Sequence, residues 1–148
     1  MTKKTSTKKY FIKYNKMFDK SSLKRIGTYF LLAIFIVAGI NKINGFDKTV
    51  AGFKSMMPKN IKSLPLILFQ LVILMVIVIE IVAPIVLVYM DVDESRTLPQ
   101  EAHNWSIWIL VAFTTLATIL YHNPMDRSQM TNFLKNLAII GGLLLLLN

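Results

Sequence analysis

An acid, a proline, an imidazole and a few basic side chains stand where an apolar chain has least use for them. Glu80 lies inside the longest apolar run, Leu64 to Met90 (LPLILFQLVILMVIVIEIVAPIVLVYM), and Pro84 follows it at the spacing of one helical turn. At ~1.5 Å per residue this run spans roughly 40 Å, more than the ~30 Å hydrocarbon core, which puts Glu80 near mid-depth of a membrane-spanning helix. An ionisable group at that depth is costly unless it is paired, hydrated or neutralised, so it is a candidate for proton handling or for gripping the polar head of a ligand. Pro84 carries no amide hydrogen, which frees the backbone carbonyl of Glu80. A bilayer accepts such freed groups only where neighbouring helices, side chains or water satisfy them.

Other ionisable or small polar residues fall on shared helical faces at ~100° per residue. Thr28, Phe35, Gly39 and Lys42 share one face of the first apolar run, Thr114, Thr118 and His122 one face of the third, and Lys135, Ala138 and Gly142 one face of the fourth. Each face joins small or hydroxyl residues to an ionisable group, the pattern expected of a surface turned toward a bundle interior. His122 could carry protons or donate to a quinone, since its ordinary pKa of ~6.5 lets it exchange protons near neutrality. The plainer alternative is an interfacial polar residue. Glu80 likewise has a plainer reading, a protonated or paired group that holds helices in register and does no chemistry.

Several chemistries are excluded. The chain has no cysteine, so it has no disulfide framework, no thiolate ligands and no thiol relay. No metal site is expected, because His103 and His122 stand at opposite ends of one helix, about 28 Å apart by helical rise. The sequence shows no Ser-His-Asp set, phosphate-binding glycine loop or dinucleotide fingerprint.

The elements that must position these residues follow from composition. The chain has 148 residues, 54% of them hydrophobic, with 17 Lys plus Arg against 8 Asp plus Glu. Apolar and charged residues are segregated into blocks, which predicts an all-α multi-pass membrane protein. Four spans are expected, at about 26–43, 64–90, 105–121 and 133–147, closing into a four-helix bundle over residues 26–148. The basic leader is long for a signal peptide and lacks a clear cleavage site, so the first span is read as retained.

Residues 1–25 form a basic tail with nine Lys or Arg. With Arg96 in the second loop, this outweighs the other face, and the positive-inside rule puts both termini in the cytoplasm. In the tail, Tyr10, Phe11, Tyr14, Met17 and Phe18 fall on one helical face and Lys9, Lys13, Lys16 and Lys20 on another, as a helix on an anionic leaflet requires. Alternatively the tail only sets topology; nucleic-acid binding is not expected, since the same lysines already have a membrane to meet. In the first loop, Phe46, Val50, Phe53 and Met57 recur at helical spacing between a candidate cap at Asp47 and a break at Pro58, predicting a short interfacial helix that could cover the outer mouth. Centring the second span in the bilayer puts Glu80 ~5 Å to the cytoplasmic side of mid-plane, with Lys42, His122 and Lys135 toward the outer face. Depth therefore leaves direct pairing of Glu80 with those groups open; Arg25 approaches from the cytoplasmic end and Lys42 from the outer end, and a water chain could bridge either gap.

Four segments, in order, resemble the DoxX family of small four-helix membrane proteins: AGINKINGF (Ala38 to Phe46), VIEIVAPIVLV (Val78 to Val88), ATILYHN (Ala117 to Asn123) and NFLKNLAIIGGLLLL (Asn132 to Leu146), with the Met56-Met57-Pro58 break between the first two. The likeness runs from about Gly27 to the C-terminus. It implies that the family's helix-end lysine falls on Lys42, its span-two acid on Glu80, its span-three histidine on His122 and its Lys-Asn pair on Lys135 and Asn136. Two features depart from the pattern: Thr28 stands where the family often has an arginine, with Arg25 a turn earlier, and span two leads into a longer acidic loop (Asp91, Asp93, Glu94, Glu101).

Characterised relatives are membrane subunits linked to oxidoreductase systems, such as thiosulfate:quinone oxidoreductase and a membrane complex with superoxide dismutase and a sulfurtransferase. The resemblance thus implies a membrane subunit of a quinone-linked redox complex rather than an enzyme on its own. Its partners would be the lipid bilayer and a soluble or membrane redox protein, its candidate cofactor a quinone, and its site Glu80, His122, Lys42, Lys135 and Asn136. The alternative is a non-enzymatic scaffold or assembly factor that anchors a soluble partner through the basic tail and the acidic loop. A third reading, a small proton-coupled carrier, fits the buried acid but lacks a visible inverted repeat.

Overall fold

A computed structural model describes residues 19–92, 98–122 and 124–147 of the chain. Every regular element among them is helical. In chain order they are α1 (Lys20–Asn44), α2 (Phe46–Met56), α3 (Lys59–Lys62), α4 (Leu66–Val92), α5 (Gln100–Tyr121) and α6 (Arg127–Leu144). Three of them, α1, α4 and α5, are long and apolar enough to cross a membrane. α6 holds residues 133–144 of the fourth expected span but starts in polar sequence, RSQMTN, and does not reach that standard. The amphipathic tail helix expected around Lys9, Lys13 and Lys16 lies outside the described residues, and Lys20 is the exposed first residue of α1.

The helices end where the sequence removes a reason to continue. α1 stops at Gly45, and the chain turns directly into α2, whose first turn begins one residue later. The residue preceding α2 is therefore Gly45 and not the expected cap Asp47, which sits in the first turn and favours the helix through the dipole instead. Met57 is extended before Pro58, as a residue preceding proline must be. α6 has a side-chain cap: the Asp126 carboxylate accepts from the backbone N–H and the hydroxyl of Ser128, each at 2.8 Å. These bonds favour the ionised form and hold the Asp126 pKa below its ordinary value.

Packing follows chain order: α1 lies against α4, α4 against α5, and α5 against α6, which returns to touch α1. Two apolar clusters result. The larger joins Leu32 and Phe35 of α1, Ala83 and Leu87 of α4, Ile107 and Leu110 of α5, and Leu143 with the following Leu146. The smaller joins Val50 of α2 to Phe69, Ile73 and Ile77 of α4, with Phe46, Phe53 and Met57 against it. The four-residue spacing of Phe69, Ile73 and Ile77 gives α4 a second apolar stripe, and α2 is the amphipathic helix that covers it.

The antiparallel register of α1 and α4 is fixed at both ends. Tyr29 bonds Asp91 near the start of α1, and Gly39 lies against Glu80 and Ile81 near its end. The centres of the two helices are consequently offset by about nine residues, roughly 13 Å along the axis. α4 runs on past the end of α1, and the overhanging turns are those that α2 covers.

Candidate functional site

Gly39 is the reason α1 and α4 can approach beside Glu80. A Cβ built on it would stand 2.8 Å from Ile81 Cγ1 and 3.3 Å from Glu80 Cβ, so only hydrogen fits. One turn further along α1, Lys42 extends its ammonium back to Glu80, and Nζ donates to Oε1 at 2.8 Å. The Glu80 side chain is 4% exposed and the Lys42 side chain 27%. The carboxylate is therefore buried while the ammonium keeps access to the surface, as a long cationic stem permits.

Helical depth left this pairing open, and the contact between Lys42 and Glu80 is direct. Centring each span separately assumes that neighbouring helices share a mid-plane, and here they do not. The ~13 Å stagger brings the last turn of α1 to the middle of α4, and the length of the lysine side chain closes the remainder.

The second oxygen of Glu80 differs from the first. Oε2 is buried and meets no hydrogen-bond donor among the described residues. Buried polar atoms are normally satisfied, and in a lipid-like interior an unsatisfied one costs more than in water. Pro84, also fully buried, stands one turn away within an unbroken α4. The site thus holds one committed ion-pair contact, one open acceptor oxygen and a helix that lacks one backbone donor.

The other expected members are distributed. His122 follows the last turn of α5, and its Nδ1–H donates to Gln129 Oε1 of α6 at 3.0 Å. Thr114 and Thr118 are buried on the same face, each donating its hydroxyl to the carbonyl four residues earlier. The inward direction of that face and of the Phe35–Gly39–Lys42 face is as the sequence suggests. On α6 it holds only at Gly142, where an added Cβ would stand 3.2 Å from Leu31 Cδ2; Lys135 and Ala138 are exposed. The inward side runs through Asn136, Ile139, Ile140 and Leu143, so the ammonium of Lys135 avoids burial altogether. Among the described residues no hydrogen bond joins His122, Lys135 or Asn136 to Glu80.

Two pairings escaped the sequence reading. Gln129 is the partner of His122, and nothing in its hydrophilic context distinguished it from ordinary flanking sequence. Asp91, at the far end of the α1–α4 seam, accepts from the Tyr29 hydroxyl at 2.7 Å and lies 3.5 Å from Arg25 Nε. Its signal was an acid closing an apolar helix opposite an arginine opening another.

Lys42, Glu80, Pro84 and the glycine between the helices all fall within one contiguous stretch with a known counterpart. Residues 26–89 match the DoxX family model. No curated protein and no solved structure matches the chain. The DoxX match and the apolar helices make this an integral, multi-pass membrane protein, and its surroundings are a lipid bilayer. The matched stretch runs from within α1 to within α4, so both members of the buried ion pair lie inside it.

Proposed function

We propose that the chain is a membrane subunit of a quinone-linked redox complex and that the Lys42–Glu80 pair holds the polar head of the quinone. The observation that carries this reading is Glu80 Oε2, a buried acceptor with no donor, set beside an ammonium that is only partly enclosed. A quinol hydroxyl can donate to the open carboxylate oxygen, and a quinone carbonyl can accept from a lysine ammonium. Together the two groups offer the acceptor and the donor that the two redox forms need.

The bundle that holds this pair has four spans in this reading. The fourth runs along α6 and on into the turn at Leu145–Leu147 that follows it, supported by the burial of Leu143 and Leu146 in the main cluster. Residues 26–148 form the DoxX-like membrane domain, and residues 1–25 the tail. Both termini lie in the cytoplasm, supported by the nine basic residues of that tail.

The test is thermal denaturation of the full-length protein in nanodiscs with a short-chain benzoquinone, oxidised and reduced. Saturable stabilisation that Glu80→Gln weakens is the expected result. Absence of stabilisation by either redox form overturns the reading.

The close seam at Gly39 favours a second reading, in which Glu80 is a polar lock within a scaffold that anchors a soluble protein. Under it, Glu80→Gln leaves recovery of the partner unchanged, whereas reversing the charges of Asp91, Asp93 and Glu94 abolishes it.

A further inference from the structure

At the opposite end of the α1–α4 seam the structure opens a cavity of about 190 Å³, lined by Ser21, Lys24, Arg25 and Thr28 of α1, Leu87 and Asp91 of α4, His103 of α5, and Leu146. Its composition is divided. Leu87 and Leu146, both buried, belong to the apolar core, while hydroxyl, ammonium, guanidinium and imidazole groups line the rest. The single acid is already engaged, through the Tyr29 hydroxyl and the Arg25 guanidinium. With Asp91 balanced by Arg25, the ammonium of Lys24 is left as uncompensated charge, and among the described residues no carboxylate pairs with it.

We propose that this cavity is an anion site for a phosphate group, with Lys24, Arg25 and His103 as its cationic and donor groups and the Ser21 and Thr28 hydroxyls at its edge. Charge-assisted bonds from arginine and lysine are the strongest that a protein offers a phosphate, and a cavity of this size holds one such group. The phosphate could come from two sources. Basic pockets between membrane helices bind anionic lipid head groups, and the cavity lies at the end of a seam between apolar helices. A free phosphate, or the phosphate of a soluble ligand, would use the same donors.

The test is native mass spectrometry of the full-length protein in mild detergent, titrated with phosphatidylglycerol, with phosphatidylcholine, or with inorganic phosphate. Lys24→Gln/His103→Gln is compared with the natural chain and with Lys9→Gln/Lys13→Gln/Lys16→Gln, which changes none of the lining residues named above. Retention of phosphatidylglycerol over phosphatidylcholine is expected, unchanged in the tail variant and reduced about tenfold in the cavity variant, as for loss of one charge-assisted bond. Binding of inorganic phosphate that the cavity variant loses, without preference for the anionic lipid, supports the site and assigns it to a free phosphate group. Equal retention of both lipids with no phosphate binding overturns the proposal. So does retention that the tail variant loses and the cavity variant keeps. Thermal denaturation of both variants in detergent establishes that they are folded; if the double variant is not, Lys24→Gln alone is read by the same criteria.

Discussion

The α1–α4 seam carries an ion pair near each end, and the two could hardly be more different in setting. Arg25 and Asp91 are 56% and 31% exposed and sit 3.5 Å apart; Lys42 and Glu80 are 27% and 4% exposed and meet at 2.8 Å. Coulomb attraction scales inversely with the local dielectric, so the same pair of charges is a minor convenience at one end and a structural commitment at the other. Water can replace Arg25 as a partner for Asp91. It has little access to Glu80, and removing Lys42 leaves that carboxylate alone in an apolar interior.

The comparison can be broken most forcefully at Lys42. Lys42→Met should cost about 3–5 kcal/mol, the usual penalty for stranding one member of a buried pair, read as a lower denaturation temperature in detergent. Lys42→Met/Glu80→Leu should recover most of that loss, because two apolar groups strand nothing. A double variant as unstable as the single would show that the pair is not what couples these positions. Gly39→Val comes next, at about 1–3 kcal/mol, since any side chain there must push Ile81 away.

At the exposed end the expected effects are smaller. Asp91→Asn should change stability by about 0–1 kcal/mol and lose even that at high salt. The smallest effect is expected at Asp126→Ala, which removes the α6 cap. Because the native Asp126 pKa is depressed, its contribution is present above the unfolded value of ~3.9 and is lost as pH falls through the lower native value, so variant and natural chain should converge in acid. Divergence on acidification would show that the cap is not the source.

How far the sequence could be read depends on whether the information is local. Three apolar runs, the amphipathic stripe of α2 and the inward faces at Gly39 and Thr114 are all properties of single helices, and periodicity exposes them. The Lys42–Glu80 contact is a property of two helices and their relative height. Hydropathy says that each crosses the membrane but not at what offset, and centring both gave the wrong depth for the partner. Lys135 shows a related limit. Of the small residues that suggested its face as the inner one, Gly142 does pack against Leu31, but Ala138 and Lys135 stay exposed, because burying an unpaired ammonium costs more than close packing there would gain. Gln129 and Asp91 lie in hydrophilic flanks where many side chains would look alike, and only the fold shows which of them has a partner.

The separation of 38 positions from Lys42 to Glu80 gives the pair an order in time. Ribosomes add about 5–20 residues per second, so α1 emerges with its lysine seconds before the matching acid exists. A lone ammonium at the middle of a nascent span would resist lateral release into lipid. At the last turn of α1 it can instead reach back to the head groups and wait there. Glu80, which does lie mid-helix, is synthesised second and arrives beside a cation already in place. The position of each charge within its helix is thus suited to the sequence in which the bilayer meets them.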